Sequence, residues 1–169
     1  MALSNKYGSM LLTTGNKSEI AVGYSTIYGD MCGGYNPIKD LYKTRLYSIC
    51  EWRNSYHEAW MKGPNGLVIP KSILEKSPTA ELRPNQTDQD SLPPYEVLDS
   101  ILESLIENDM SISEIVRLGH DYDIVKKIEK LVYQSEYKRF QSAPGVHLTE
   151  NSFQLSRRYP IVQNWRDSL

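Results

Sequence analysis

The chain has 169 residues, 40% of them hydrophobic and 24% charged, with a net charge of −2; that is enough to bury one domain's core and gives no electrostatic case for binding nucleic acid or an anionic membrane. No apolar run approaches the ~20 residues of a membrane helix and no secretory leader precedes the fold, so a cytoplasmic location is expected. Cys32 and Cys50 form no CxxC and read as reduced thiols, and His57, His120 and His147 are spaced too widely to suggest a shared metal site. In chain order, Ala2 to Tyr7 reads as a helix stopped by Gly8. Met10 to Leu12, ending in Thr13-Thr14-Gly15, predicts a buried strand running out into a loop, with a helix starting just after it. In open α/β sheets ligands bind at the carboxyl ends of strands. Thr14, Asn16, Ser18 and Glu19 would then converge on a crevice at a helix N-terminus, suited to a metal-bound polyphosphate. Simple capping by Asn16 or Ser18, with Glu19 at the positive end of the dipole, accounts for the same residues.

Beyond the Gly33-Gly34 turn, Pro37 to Leu41 reads as extended. Lys43 to Asn54 predicts a surface helix with Leu46, Ile49, Cys50 and the stem of Arg53 on one side. A cation in its first turn, Lys43, opposes the helix dipole by a few tenths of a kcal/mol, a conflict that a phosphate would relieve; a solvated lysine is the plain alternative. Met61 to Leu67 is a loop, and Lys71 to Glu75 a short helix. Lys76 to Pro94 is rich in Ser, Pro, Thr, Asn, Gln and Asp with almost no apolar periodicity, as in lids, binding loops and mobile connections. Pro94 fits the first position of the next helix, whose stripe is Val97, Leu98, Ile101, Leu102, Leu105 and Ile106. Ser111 and Glu114 predict a capping box opening a second helix that ends at Gly119. A third follows Asp121, with Ile124, Val125, Ile128, Leu131 and Val132 inside and Lys126, Lys127, Glu129 and Lys130 outside. Tyr137, Lys138 and Arg139 fall toward its end. Lys138-Arg139 and Arg157-Arg158 both read as solvated basic pairs.

The strings TTGNKSEIAVGYSTIYGDMCGGYNPIKDLYKT, KSPTAELRPNQTDQDSLPPYEVLD, EYKRFQSAPGV and RRYPI, in that order and over nearly the whole chain, resemble the synthetase domain of glutamine-dependent NAD+ synthetases. NKSE, GDMCGG and EWRN favour that branch. So do Ile27 and Tyr137, where the short ammonia-dependent branch tends to carry Lys and His. The resemblance implies an α/β, Rossmann-like adenine nucleotide alpha-hydrolase fold. Residues 1–169 would be its C-terminal portion, mostly helical with one or two strands, with 76–94 as a flexible nucleotide-covering loop and 95–141 as a helical part. It also implies the reaction: the nicotinate carboxylate of deamido-NAD+ attacks the α-phosphate of ATP, pyrophosphate leaves, and ammonia displaces AMP. Such chemistry rests on charge stabilisation by Mg2+ and lysine.

By the same resemblance Thr14 contacts the nucleotide, Glu19 serves Mg2+ and deamido-NAD+, and Lys43 and Thr79 hold the ATP phosphates. Lys138 lies near the nicotinate, with Asp30 in the deamido-NAD+ motif; Glu19 and Lys43 would be the catalytic pair. The implied partners are ATP, deamido-NAD+, ammonia derived from glutamine, an upstream half of the synthetase and a glutaminase domain, in a homo-oligomer. The family's Ser-Gly-Gly-x-Asp-Ser pyrophosphate loop is not among these residues, so the chain alone is expected to be inactive. Another adenylating amidotransferase of this fold, or a non-catalytic helical interaction piece, are the competing expectations.

Overall fold

Apolar residues three and four apart in the last third of the sequence form the core. In the computed structural model, which describes residues 1–79, 84, 86–153 and 155–167, helix α5 (Tyr95–Ile106) buries Leu98, Ile101, Leu102 and Ile106 completely. Facing it, α7 (Tyr122–Gln134) buries Val125, Ile128 and Val132, and α6 (Ile112–Arg117) adds Ile112 and Ile115. The caps read from the sequence are in place: Ser111 and Glu114 form the box on α6, and Asp121 accepts the Ile124 amide of α7. At the amino end, α1 (Ala2–Tyr7) stops at Gly8. The short α2 (Lys17–Val22) inserts Ile20, Ala21 and Val22 into the core and packs on α5, α7, α3 (Lys43–Ser55) and α8 (Glu136–Phe140). Between α3 and α5 lie α4 (Lys71–Leu74) and a 3-10 turn at Asp88–Asp90.

Several local expectations are corrected. Among the described residues there is no strand, only isolated bridges at Leu12–Tyr35, Asn36–Gly145 and Phe153–Arg157. Met10 and Leu12 are 69% and 52% exposed. The Thr13 amide reaches Tyr35 and the Gly34 amide reaches Leu11, but a strand needs a longer ladder than one such pair supplies. Pro37 to Asp40 is a turn, not an extended segment, because Pro37 presets φ and the Asn36 side chain accepts the Ile38 amide in an Asx turn. Pro94 is the N-cap of α5 rather than its first residue. On α3 nothing is fully buried and Ile49 is 42% exposed, so its stripe is only half covered.

The third helix does not run on through Lys138. Ser135 breaks it, and the Arg139 guanidinium, 1% exposed, donates to the carbonyls of Val132 and Ala21 (2.6 Å to Ala21) while pairing with Glu136 at 2.8 Å. Arg139 thus takes a carbonyl that a continuing helix would use, and it is a core residue rather than a solvated one. Glu129, expected outside, is 2% exposed, because the tail crosses α7 and its Asp167 amide donates to Glu129 at 2.8 Å. Arg157 is likewise mostly covered and pairs with Asp109 at 2.6 Å. In the 76–94 segment, Ala80 to Arg83 and Asn85 lie outside the described residues. The part that follows is ordered: Thr87 and Asp90 box the 3-10 turn, the Asp88 amide donates to Pro78, and buried Asp88 accepts the Tyr95 hydroxyl at 2.6 Å.

Candidate functional site

The polar start of α2 is a capping box. The Asn16 side chain accepts the Glu19 amide at 3.0 Å, and Glu19 Oε2 accepts the Asn16 amide at 3.2 Å. The capping role read for Asn16 therefore holds. It leaves Glu19 Oε1 free to turn outward, where it meets Lys43 Nζ at 2.9 Å. This pair relieves the conflict between Lys43 and the dipole of α3, the task a phosphate was expected to perform. The Lys43 ammonium also stands 5.3 Å from the centre of the Tyr95 ring, so the lysine is walled on one side by the residue that holds Asp88.

Ser18 does not join this crevice. Fully buried, it donates to Asp99 Oδ1 at 2.5 Å and accepts the Lys43 amide at 2.9 Å. Asp99 accepts the Thr44 amide and hydroxyl at 2.9 and 2.8 Å through its other oxygen. Burial pushes the Asp99 carboxyl above its ordinary range against the pull of these donors. The sequence signal for Asp99 was an acid placed between Leu98 and Ile101 in an otherwise apolar stripe.

The opposite end of α2 adjoins a cleft. Its C-cap Gly23 has φ 70°, and a Cβ there would stand 2.2 Å from Ser135 Oγ, so only glycine lets α2 abut the α7–α8 junction. That approach brings Lys138 Nζ to the carbonyls of Gly23 and Ser25, both at 2.7 Å. Lys138 lines a cleft of about 330 Å³ together with Asp30, Tyr24, Thr26 and Gln86. Asp30 accepts the Thr26 amide at 2.6 Å, and the Tyr24 hydroxyl accepts from Gln86 at 3.1 Å. Burial and the nearby Asp88 carboxylate raise the Tyr24 phenol. The structure thus brings Glu19 to Lys43 and places Asp30 and Lys138 on the wall of one cleft. Thr14 stands exposed on the loop before α2, and Thr79 lies half-buried beside Pro78.

One buried cluster escaped sequence reading altogether. Lys17, 0% exposed, pairs with Asp40 at 2.8 Å and Glu107 at 2.5 Å, and donates to Thr149 Oγ1 at 2.5 Å and the Asn151 carbonyl at 3.1 Å. Burial alone would raise the Asp40 carboxyl, but the Lys17 ammonium and the Leu148 and Thr149 amides hold it below its usual range. The available hint was a lysine in the first turn of a helix, where the dipole disfavours it.

The helical packing and the polar ends of α2 are what the described residues show, and comparison with known proteins gives the family. The sequence model of NAD synthase matches residues 1–142, and the chain belongs to the NAD synthase family. It is 66% identical over 167 residues to the glutamine-dependent NAD(+) synthetase of Rhodobacter capsulatus, covering 99% of this chain and 30% of that one. To the protein of that name from Xanthomonas campestris pv. campestris (strain 8004) it is 52% identical over 165 residues, covering 98% and 29%. A solved glutamine-dependent NAD(+) synthetase from Cytophaga hutchinsonii matches with a TM-score of 0.71 at 24% identity, over 96% of this chain and 26% of the other. The shared fold is the Rossmann-like adenine nucleotide alpha-hydrolase type expected, of which the described residues form a helical part. The chain spans about 30% of the length of the curated relatives it matches.

Proposed function

We propose that this chain contributes to NAD+ biosynthesis as a portion of a glutamine-dependent NAD+ synthetase, amidating deamido-NAD+ at the expense of ATP. The observation that carries the reading is the Glu19–Lys43 pair at 2.9 Å. Two residues 24 positions apart, assigned by resemblance to the metal and phosphate ends of one site, meet at the mouth of α2. A magnesium–polyphosphate would part them, Lys43 turning to phosphate oxygens and Glu19 to the cation. Mg2+ is commonly bound by one or two carboxylates plus substrate phosphates and water. Among the described residues no group of three or more His, Cys, Asp or Glu gathers to hold a metal, and Glu19 fits this sparser pattern as a single protein ligand. When bound, the cation would neutralise charge on the leaving pyrophosphate.

The remaining steps fall to the chain's own groups. Lys43, held by Glu19 and walled by Tyr95, is in place to bind phosphate oxygens as charge builds on them. Lys138 spends two donors on Gly23 and Ser25, and its third N–H is available to orient the nicotinate carboxylate of deamido-NAD+ toward the α-phosphate. Asp30 closes the same cleft, Thr79 supplies a hydroxyl to the phosphates from the loop ahead of the 3-10 turn, and Thr14 contacts the nucleotide from the loop before α2. Ammonia, released from glutamine by a separate domain, then displaces AMP.

The test is a chimera in which this chain replaces the matching 167 residues of the Rhodobacter capsulatus relative. The chimera should form NAD+ from deamido-NAD+, ATP and ammonia, and Glu19→Gln should remove that activity. A folded chimera with no turnover, or one indifferent to Glu19→Gln, would overturn the reading.

A further inference from the structure

Helix α3 begins without a cap of its own. Tyr42, its N-cap, provides no side-chain acceptor, and the first amides of any helix lack intrahelical partners. Two other helices satisfy them: the Lys43 amide goes to Ser18 on α2 at 2.9 Å and the Thr44 amide to Asp99 on α5 at 2.9 Å. Because the Ser18 hydroxyl proton is committed to Asp99 at 2.5 Å, a lone pair of the same oxygen is left facing Lys43. Asp99 also takes the Thr44 hydroxyl at 2.8 Å, so both of its oxygens are used and both orient the start of α3. A carboxylate 3% exposed among Leu98, Ile101 and Leu102 is a costly placement unless every oxygen is met by a donor.

We infer that Asp99 is the positioning residue of the Glu19–Lys43 pair, locking the first turn of α3 onto α2 so that the Lys43 ammonium reaches Glu19 over the Tyr95 ring. Its consequence for ATP rests on the nucleotide reading above; the geometry concerns the chain without ligand. An amide at this position has only one acceptor atom. Keeping Thr44 would turn its NH2 toward Ser18, leaving the Ser18 hydroxyl proton without the acceptor that fixes the oxygen against the Lys43 amide.

The experiment compares the 169-residue chain with Asp99→Asn and Ser18→Ala by amide hydrogen exchange, by the NMR signal of the Lys43 ammonium, and by Mg-ATP titration. Loss of a hydrogen bond to a charged group should speed exchange of the Lys43 and Thr44 amides about tenfold or more in Asp99→Asn. The ammonium signal should lose its Glu19-paired shift and Mg-ATP affinity should fall about tenfold, while the amides of Ile101, Leu102 and Ile128 keep their protection. Ser18→Ala should loosen the Lys43 amide and leave that of Thr44 protected. An unchanged ammonium signal, or a uniform loss of protection across the core, would mean that Asp99 merely braces the fold and would overturn the proposal. Failure of the unsubstituted chain to bind Mg-ATP overturns the nucleotide reading alone, and the exchange pattern still decides the role of Asp99.

Discussion

Glu19 and Lys43 neutralise one another in the free chain, and each blocks the other's use by a ligand. Removing the carboxylate should therefore act in opposite directions on two ligands. In Glu19→Gln, ATP without metal gains access to an unpaired Lys43 and should bind several-fold tighter, whereas the gain on adding Mg2+ should shrink. Titration calorimetry with and without Mg2+ checks both arms, and an equal loss in both would rule out the exchange of partners. Asp40 gives a second residue-scale expectation, with its sign fixed by linkage. Its folded value lies below the ordinary 3.8. The stability it contributes is therefore fully present above that pH and is lost as the pH falls through the folded value. Acid unfolding followed by circular dichroism should be steep below pH 3.8, and Asp40→Asn should flatten that limb. Asp99, raised by burial, works the other way: its ionised form costs folded stability near neutrality, and protonation relieves that cost.

Elements, more than single contacts, were what the residues disclosed in advance. The α5 and α7 stripes, the Ser111–Glu114 box, the Asp121 cap and the Gly8 stop depend on neighbours within a few positions, and they stand as expected. Apart from the local Pro37 turn and the one-position shift at Pro94, the misplaced features depend on distant residues. Met10 to Leu12 looked like a strand because apolar runs pair in sheets, and pairing is decided by chain far away. Glu129 and Arg139 looked solvated because nothing local reveals that the tail covers one and α2's carbonyls receive the other. For the site the split is similar. Asp30 and Lys138 came from resemblance to ordered motifs, while Glu19 and Lys43 were already marked by their places at helix starts and the capping of Asn16 by spacing; Asp99 and Lys17 were hidden because a lone polar residue in a helix is ordinarily solvent-facing. Two measurements belong at this scale. Leu98→Ala, which empties a fully buried site, should cost about 2–5 kcal/mol in urea unfolding. Limited proteolysis should cut within residues 76–94 before Val97 to Ile106, since segments with few buried apolar contacts open at low free-energy cost.

At the scale of the whole molecule, a six-residue helix has the Glu19–Lys43 pair at one end and the cleft lined by Asp30 and Lys138 at the other. Holding a leaving pyrophosphate takes more donors than these. Loss of even one preorganised donor costs roughly 3 kcal/mol, on the order of a hundredfold in rate. Incubated alone with deamido-NAD+, ATP, Mg2+ and ammonia, these residues should form no NAD+ above background, as read by an enzymatic cycling assay. Turnover that Glu19→Gln abolishes would refute this.

The Lys17 cluster sets an order of events during synthesis. The ammonium on α2 needs Asp40, Glu107, Thr149 and Asn151, whose backbones leave the ribosome in that sequence. Until the last two emerge, α2 must either keep Lys17 in water or bury a cation with half its partners missing, which a low-dielectric interior penalises strongly. The nascent chain should therefore delay docking α2, and with it the Glu19–Lys43 pair and the Lys138 cleft, until almost all of these residues have been made. A chain ended after His147 reproduces that waiting state. It should retain the α5–α7 helical signal while exposing the core to a hydrophobic dye, and adding residues up to Phe153 should quench the dye.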